Sequence, residues 1–326
     1  MTIGEVMREI GSEFHKVIPD SGHGLIFPKP GSLVFSGRTA IESVLKKLPD
    51  ARTALLPSYC CESMIIPFRV AGINVNYYDV DWDDRLKIKI DDTADILLWC
   101  NYFGYKNEMP SFNGVIVEDI THSFLSEETC HSHSDYLIAS LRKWEPINCG
   151  GYCSVEANGK EPPKEFVDLK TAAMKLKTEY LEDLQVEKKE RFLQMFGENN
   201  QWLAKNYSGL LIDDYSQIYL QHVDMEKQRR IRRENARVLY ENLRGKVKFM
   251  FPIEDMDCPL FVPILLPNRE VVRAHLTRNE IYCPVHWPKP EGCESNIYYQ
   301  ELSLICDQRY GIEDMERIVS VIREVL

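Results

Sequence analysis

The chain has 326 residues, 44% hydrophobic and 27% charged, the make-up of a globular protein with room for a large domain and a smaller one. Its 39 basic and 50 acidic side chains give a net charge of -11, which argues against nucleic acid or an anionic membrane as the main partner, though not against a local site for a small phosphate. No run approaches the ~20 apolar residues of a membrane span, and MTIGEVMREIGSEFHKV lacks the apolar centre of a signal peptide, so a cytoplasmic location is expected.

In chain order, residues 38–48, RTAIESVLKKL, place Ala40, Ile41, Val44, Leu45 and Leu48 at helical spacing, and Pro49-Asp50 stops the helix. TALLP (53–57) reads as a buried strand. SMIIPFRVAG (63–72) reads as a helix ending at Gly72, with Pro67 in its first turns. Strands follow at 73–80, 95–100, 114–119, 135–140 and 150–155. Strands alternating with helices over more than a hundred residues predict an α/β fold with a mostly parallel sheet. Residues 160–205 are charged and helical, and so are 213–243, whose RRIRRE run reads as a solvated face. Strand-like pieces at 246–251 and 260–267, a helix at 269–278 and an amphipathic helix at 312–326 complete a smaller α+β part. The expected division is 1–205 and 206–326. The 10 scattered cysteines, with no C-x-x-C pair, read as reduced thiols.

Ligands of parallel sheets sit where strands end and helices begin. Three such places stand out. SGRTA (36–40) opens the first helix, and Thr39 with Glu42 has capping-box spacing; exposed amides there hold a phosphate, or simply cap the helix. GVIVED ends in Asp119, followed by His122; the plain alternative is a helix cap. DYLIAS ends in Ser140, then Lys143, where a surface lysine is the plain alternative. Together the three meet the needs of pyridoxal phosphate: a turn for its phosphate, an acid for its ring nitrogen, and an amine for its aldehyde. The acid keeps the ring nitrogen protonated, and the amine serves as nucleophile and general base.

Over nearly its whole length the chain resembles the DegT/DnrJ/EryC1/StrS aminotransferases, pyridoxal-phosphate enzymes of fold type I. The resemblance rests on SGRTAIESVL, LLPSYCCESMIIPFRVAGINVNYYDVD, VIVEDITHSF, DYLIASLRKWEPINCGGYCSV, RNEIYCPVHWPKP and ELSLICDQRYGIEDMERIVSVIREVL, in that order. It implies a three-layer, aspartate-aminotransferase-like large domain with a smaller C-terminal domain, a homodimer, and transfer of an amino group from glutamate to a nucleotide-linked keto-sugar. By position, Lys143 would carry the cofactor, Asp119 would pair with the ring nitrogen, and His122 would lie near the ring. Arg38, Thr39 and Ala40 would form the phosphate turn, the last two through their amides, and Ser140 would bind the phosphate. His286 and Trp287 would approach the substrate.

The chain departs from the family's pattern in three places. The stretch from Asp135 to Lys143 is two residues short. Cys61 stands where an aromatic residue stacks on the cofactor, so either another residue such as Tyr59 or Tyr102 would take that part or the ring would be held more loosely. NYSGLLIDDYSQ (206–217) lacks the arginine of the segment through which a partner subunit reaches the site. These departures keep a second function open, a homologue that binds the cofactor or a sugar as a sensor without transferring an amine. Cys130, His131 and His133 have a metal-like spacing without a fourth ligand nearby, and no metal is expected.

Overall fold

The computed structural model describes residues 8–105, 107–126, 134–252 and 257–326. In chain order its elements are β1 (Ile10–Gly11), β2 (Ser32–Val34), α1 (Gly37–Leu45), β3 (Thr53–Pro57), α2 (Glu62–Val70), β4 (Asn74–Asp83), β5 (Arg85–Lys89), β6 (Ile96–Cys100), β7 (Val115–Asp119), β8 (Tyr136–Ala139) and β9 (Gly151–Cys153). Then follow α3 (Lys164–Asp183), α4 (Val186–Lys205), α5 (Asp214–Leu220), α6 (Met225–Leu243), β10 (Lys248–Phe249), β11 (Val262–Leu265), α7 (Arg269–Arg278), β12 (Ile281–Tyr282), β13 (Glu301–Leu304) and α8 (Ile312–Arg323).

The large sheet has the order β2-β9-β8-β7-β6-β3-β4-β5 among the described residues. β4, β3, β6, β7 and β8 run parallel, while β9 and β5 pair antiparallel. The fold is therefore α/β with a mostly parallel sheet, as the alternation predicts. ILLWC of β6 is buried at all five positions, because a parallel strand is covered on both faces. α1 packs on β8 and β9 and beside α2. Successive strands are laid from β3 to β4 on one side and from β6 through β8 on the other. The reversal between β3 and β6 leaves a crevice at the carboxyl ends of the strands.

The smaller body is an antiparallel sheet, β10-β11-β13, covered by α6, α7 and α8. β1 joins it by pairing in parallel with β12, so the start of the chain belongs with its end. Side chains between Tyr207 and Met225 pack with Phe35, Trp144 and Tyr152 of the larger body.

Several expectations change in detail. The stretch 213–243 is two helices, because Asp213 and Asp224 each cap a new one, accepting from the amides of Ser216 (3.2 Å) and Lys227 (3.0 Å). The RRIRRE run is not wholly solvated. Arg232 is fully buried, with its guanidinium 4.4 Å from the centre of the Trp144 ring and its Nη1 donating to the carbonyls of Pro259 and Leu260. Pro67 is the sixth residue of the nine-residue α2, past its first turn. Among the described residues no helix is long and apolar enough to cross a membrane, and Cys60, Cys61, Cys100, Cys149, Cys153, Cys283, Cys293 and Cys306 are free thiols. Cys130, His131 and His133 lie outside the described residues.

Candidate functional site

A cavity of about 280 Å³ opens at the carboxyl ends of β3, β6, β7 and β8. Asp119 enters it from the end of β7, and Ser140 and Lys143 from the end of β8. The single turn Leu141–Lys143 sends Leu141 into the core and leaves Arg142 and Lys143 on the cavity wall. Lys143 is exposed by its accessible surface, and it lines both this cavity and a second one beside it. Burial lowers the pKa of its ammonium. Cys61 pulls the other way, and Arg142 adds to the lowering. A lysine whose ammonium form is disfavoured in this way is better suited to act as a nucleophile and a base.

Asp119 is buried, and its Oδ1 accepts from the amide of Thr121 at 2.8 Å. Burial raises its pKa to about 6, against the bonds from Thr121. Thr121 also ties the two strand ends together, since its Oγ1 accepts from the amide of Ser140 at 2.9 Å and its carbonyl accepts from Nε1 of Trp144. His122 is buried with Nδ1 accepting from the amide of Phe103 (3.2 Å). Burial, then the nearby His286 and Lys143, push its pKa well below the usual histidine range, so it is neutral at pH 7. Its ring lies 5.6 Å from that of Trp287, which comes from the smaller body and also lines the cavity.

The turn at the start of α1 packs against Ser140 on the cavity wall. Its N-cap is Ser36, not Thr39: Ser36 Oγ accepts from the amide of Thr39 (3.3 Å) and its carbonyl from the amide of Ala40 (2.9 Å). Thr39 is therefore buried, donating to the carbonyl of Tyr207 at 2.8 Å, and neither it nor Ala40 lines the cavity. The expectation that their amides face a phosphate is corrected on this point; Gly37 and Arg38 line the wall instead. Glu42 forms no capping box with Thr39 and accepts from Ser208 Oγ (2.5 Å) and the amide of Gly209 (3.1 Å).

The glycines after the lysine now have a reason. A Cβ on Gly151 would lie 2.4 Å from the carbonyl oxygen of Ser36 and 3.0 Å from the amide nitrogen of Gly37. Both are backbone atoms and cannot swing aside. Gly151→Ala should push β9 off the start of α1, at a cost of about 1–3 kcal/mol. Denaturant unfolding that matched the wild type would refute this reading of the turn.

Tyr59 does not line the cavity. It is fully buried, with its ring 5.5 Å from Tyr102, 5.0 Å from Trp287 and 5.0 Å from Tyr298. Tyr102 is equally buried and donates to the carbonyl of Tyr59 at 2.7 Å. The aromatic rings that do reach the cavity are His122 and Trp287. Cys61 lines it, its Sγ 2.8 Å from Ser63 Oγ. Asn200, Leu203 and Ala204 of α4 close the far side, and nothing in their sequence marks them.

His286 lines the second cavity, of about 510 Å³, which shares Arg142, Lys143 and Asn200 with the first. Its Nδ1 lies 2.9 Å from Ser303 Oγ, and its amide donates to Glu301 at 2.7 Å. Glu13, Arg232, Asp307 and Arg309 also reach this wall. Asp307 is paired with Arg309 at 2.7 Å, and Glu13 with Lys170 at 3.1 Å.

No family model and no curated protein matches the sequence. Solved structures do match. Helicobacter pylori PseC, an aminotransferase of pseudoaminic acid biosynthesis, aligns with a TM-score of 0.64 at 13% identity over 90% of this chain and 86% of its own. A DegT DnrJ EryC1 StrS aminotransferase from Brucella abortus aligns at 0.57 and 15% identity, covering 90% and 85%. Spr1654 of Streptococcus pneumoniae in its PLP form aligns at 0.62 and 12% identity, covering 91% and 88%. The fold is that of the DegT/DnrJ/EryC1/StrS aminotransferases. At these identities the likeness concerns the fold, and the chemistry is argued from the cavity.

The residues present fit pyridoxal phosphate on this chain's own geometry. Among the described residues, a lysine without a hydrogen-bond partner and a buried acid share one cavity, and the Nε atoms of Arg38 and Arg142 on its wall are buried and unpartnered.

Proposed function

We propose that the protein is a pyridoxal-phosphate-dependent aminotransferase that moves an amino group from glutamate to a keto-sugar or a similar carbonyl compound. The observation that carries this reading is the single cavity that collects Lys143, Asp119, His122 and the 36–38 turn. When bound, the cofactor supplies an electrophilic aldehyde and an electron-accepting ring.

The chain's own groups do the rest. Lys143 holds the cofactor through Nζ and, when freed, takes and returns a proton at that nitrogen; its lowered pKa makes the neutral form accessible. Asp119 pairs with a protonated ring nitrogen, which supplies the cation that a buried carboxylate lacks in the empty site. His122, neutral, and Trp287 wall the ring and keep water away. The second cavity, lined by His286 and reached from the same lysine, takes the substrate. We also propose a homodimer, as the resemblance implies, which light scattering would check.

The test is reconstitution of the purified chain with the cofactor. A visible band should appear, bleach with glutamate, and leave a borohydride-fixed mass on the peptide carrying Lys143. A nucleotide-linked keto-sugar should then restore the band with formation of the amine. A chain that loads fully yet aminates no carbonyl from any donor would be a binding protein instead.

A further inference from the structure

We propose that Arg38 and Arg142 form a paired guanidinium clamp for a phosphate dianion, and that this clamp, not the amides of Thr39 and Ala40, holds the cofactor's phosphate. The proposal rests on the reading just given and deepens it, for neither the resemblance nor the fold assigns any part to Arg142.

The amides that would serve are already committed. Those of Thr39 and Ala40 bond to Ser36 at 3.3 and 2.9 Å. The two arginines are the reverse: neither guanidinium has a carboxylate or carbonyl partner among the described residues, and both Nε atoms are buried and unpartnered. Leaving such donors unmet is costly, more so when they carry charge.

The nearest acids are occupied elsewhere. Glu13, near Arg142, accepts from Lys170 (3.1 Å) and Asn200 (2.9 Å); Glu62, near Arg38, is exposed and pairs with Arg69 at 3.3 Å. Arg38 and Arg142 line the same cavity, and Arg38 helps to disfavour the charge of Arg142. Two like charges on one wall, with neither guanidinium bonded to a carboxylate among the described residues, suit a shared anion.

The charge balance gives its valence. With Lys143 given to the aldehyde and Asp119 to the ring nitrogen, the charged side chains left on the cavity wall are Arg38 and Arg142, or +2. A phosphate dianion neutralises that sum. Its oxygens suit planar guanidinium groups, which bind them in bidentate fashion. Ser140 completes the wall, held against Gly37 so closely that a Cβ there would lie 3.2 Å from its own.

The experiment titrates the full-length apoprotein with three probes: pyridoxal phosphate, pyridoxal and inorganic phosphate. Inorganic phosphate should bind the wild type and compete with pyridoxal phosphate. Arg142→Met and Arg38→Met should each weaken pyridoxal phosphate and inorganic phosphate about 10- to 100-fold while leaving pyridoxal unchanged, and Arg142→Lys should restore part of the loss. The phosphorus resonance of the bound cofactor in the wild type should stay dianionic through the range near pH 6 where free phosphate esters titrate. That last measurement needs no variant to fold.

Equal losses for pyridoxal and pyridoxal phosphate, or a bound phosphate that titrates like the free one, would overturn the clamp and leave the aminotransferase reading intact. Arg142-dependent binding of inorganic phosphate, with no loading of Lys143 by either aldehyde, would keep the clamp and overturn that reading. Binding of none of the three probes would overturn both.

Discussion

Lys143→Ala should give a folded protein that cannot fix the cofactor covalently and has lost amine transfer. Among the described residues the side chain has no hydrogen-bond partner, and removing it takes away a cation beside Arg142, so stability should stay within about 0.5 kcal/mol of the wild type. Transfer should fall by about 10²–10⁴-fold or more, because the same amine both carries the cofactor and moves the proton. The decisive comparison is the mass of the peptide containing residue 143 after borohydride treatment. The wild type should gain the cofactor, whereas the variant should gain nothing there or at any other lysine. A fixed cofactor elsewhere in Lys143→Ala would remove the centre of the proposed site. Because the two arginines remain, the variant should still bind inorganic phosphate, which separates loss of the amine from loss of the cavity.

The features legible in the sequence are those set by local pattern. Apolar runs such as ILLWC, and the VIV that opens β7, mark strands covered on both faces, and the acid and the lysine come at or after the ends of such runs, so Asp119 and Lys143 could be placed at strand ends. What failed depends on register or on distant contacts. Ser36 and Thr39 can both cap a helix, and a shift of three residues turned Thr39 and Ala40 from ligand amides into capped ones. Tyr59 lies close in sequence to the aromatic position that Cys61 vacates, but it is buried. The resemblance names Trp287 for the substrate, and it does reach the cavity, from a loop more than 200 residues beyond Cys61, whereas Asn200, which nothing in the sequence marks, arrives on α4. Arg142 was overlooked because a basic residue beside a lysine looks like a solvated pair, and only the enclosing walls show otherwise. Arg232 misled for the same reason, since Trp144, which covers it, is 88 residues upstream. β1 and β12, two residues each, are too short to leave a period.

Asp119→Asn should change both the chemistry and the pH dependence of stability. In the empty protein burial raises this carboxyl from an aspartate's ordinary 3.8 to about 6. Between those values the native chain holds a proton that the unfolded chain has released, so stability must fall as pH rises through that window and level off above it. About 2 pH units at about 1.4 kcal/mol each make this ~3 kcal/mol. Asparagine carries no charge at either end of the window, so the difference between wild type and variant should shrink to zero near pH 4 after the amide's own fixed effect is subtracted, and open in the variant's favour by pH 7. Urea unfolding of both apoproteins at several pH values reads this directly; parallel curves would show that Asp119 is not a strained carboxylate. The cofactor should reverse the order. A protonated ring nitrogen gives the wild-type carboxylate the cation it lacks, so loading should stabilise the wild type more than the variant and release a proton near pH 6. The amide cannot hold the ring nitrogen protonated, and amine transfer should drop by about 10²–10⁴-fold with the cofactor still fixed to Lys143. In the wild type the same pairing pulls the carboxyl down, so the acid limb of the activity profile should lie below pH 6. An acid limb that persisted unchanged in Asp119→Asn would assign that titration to another group.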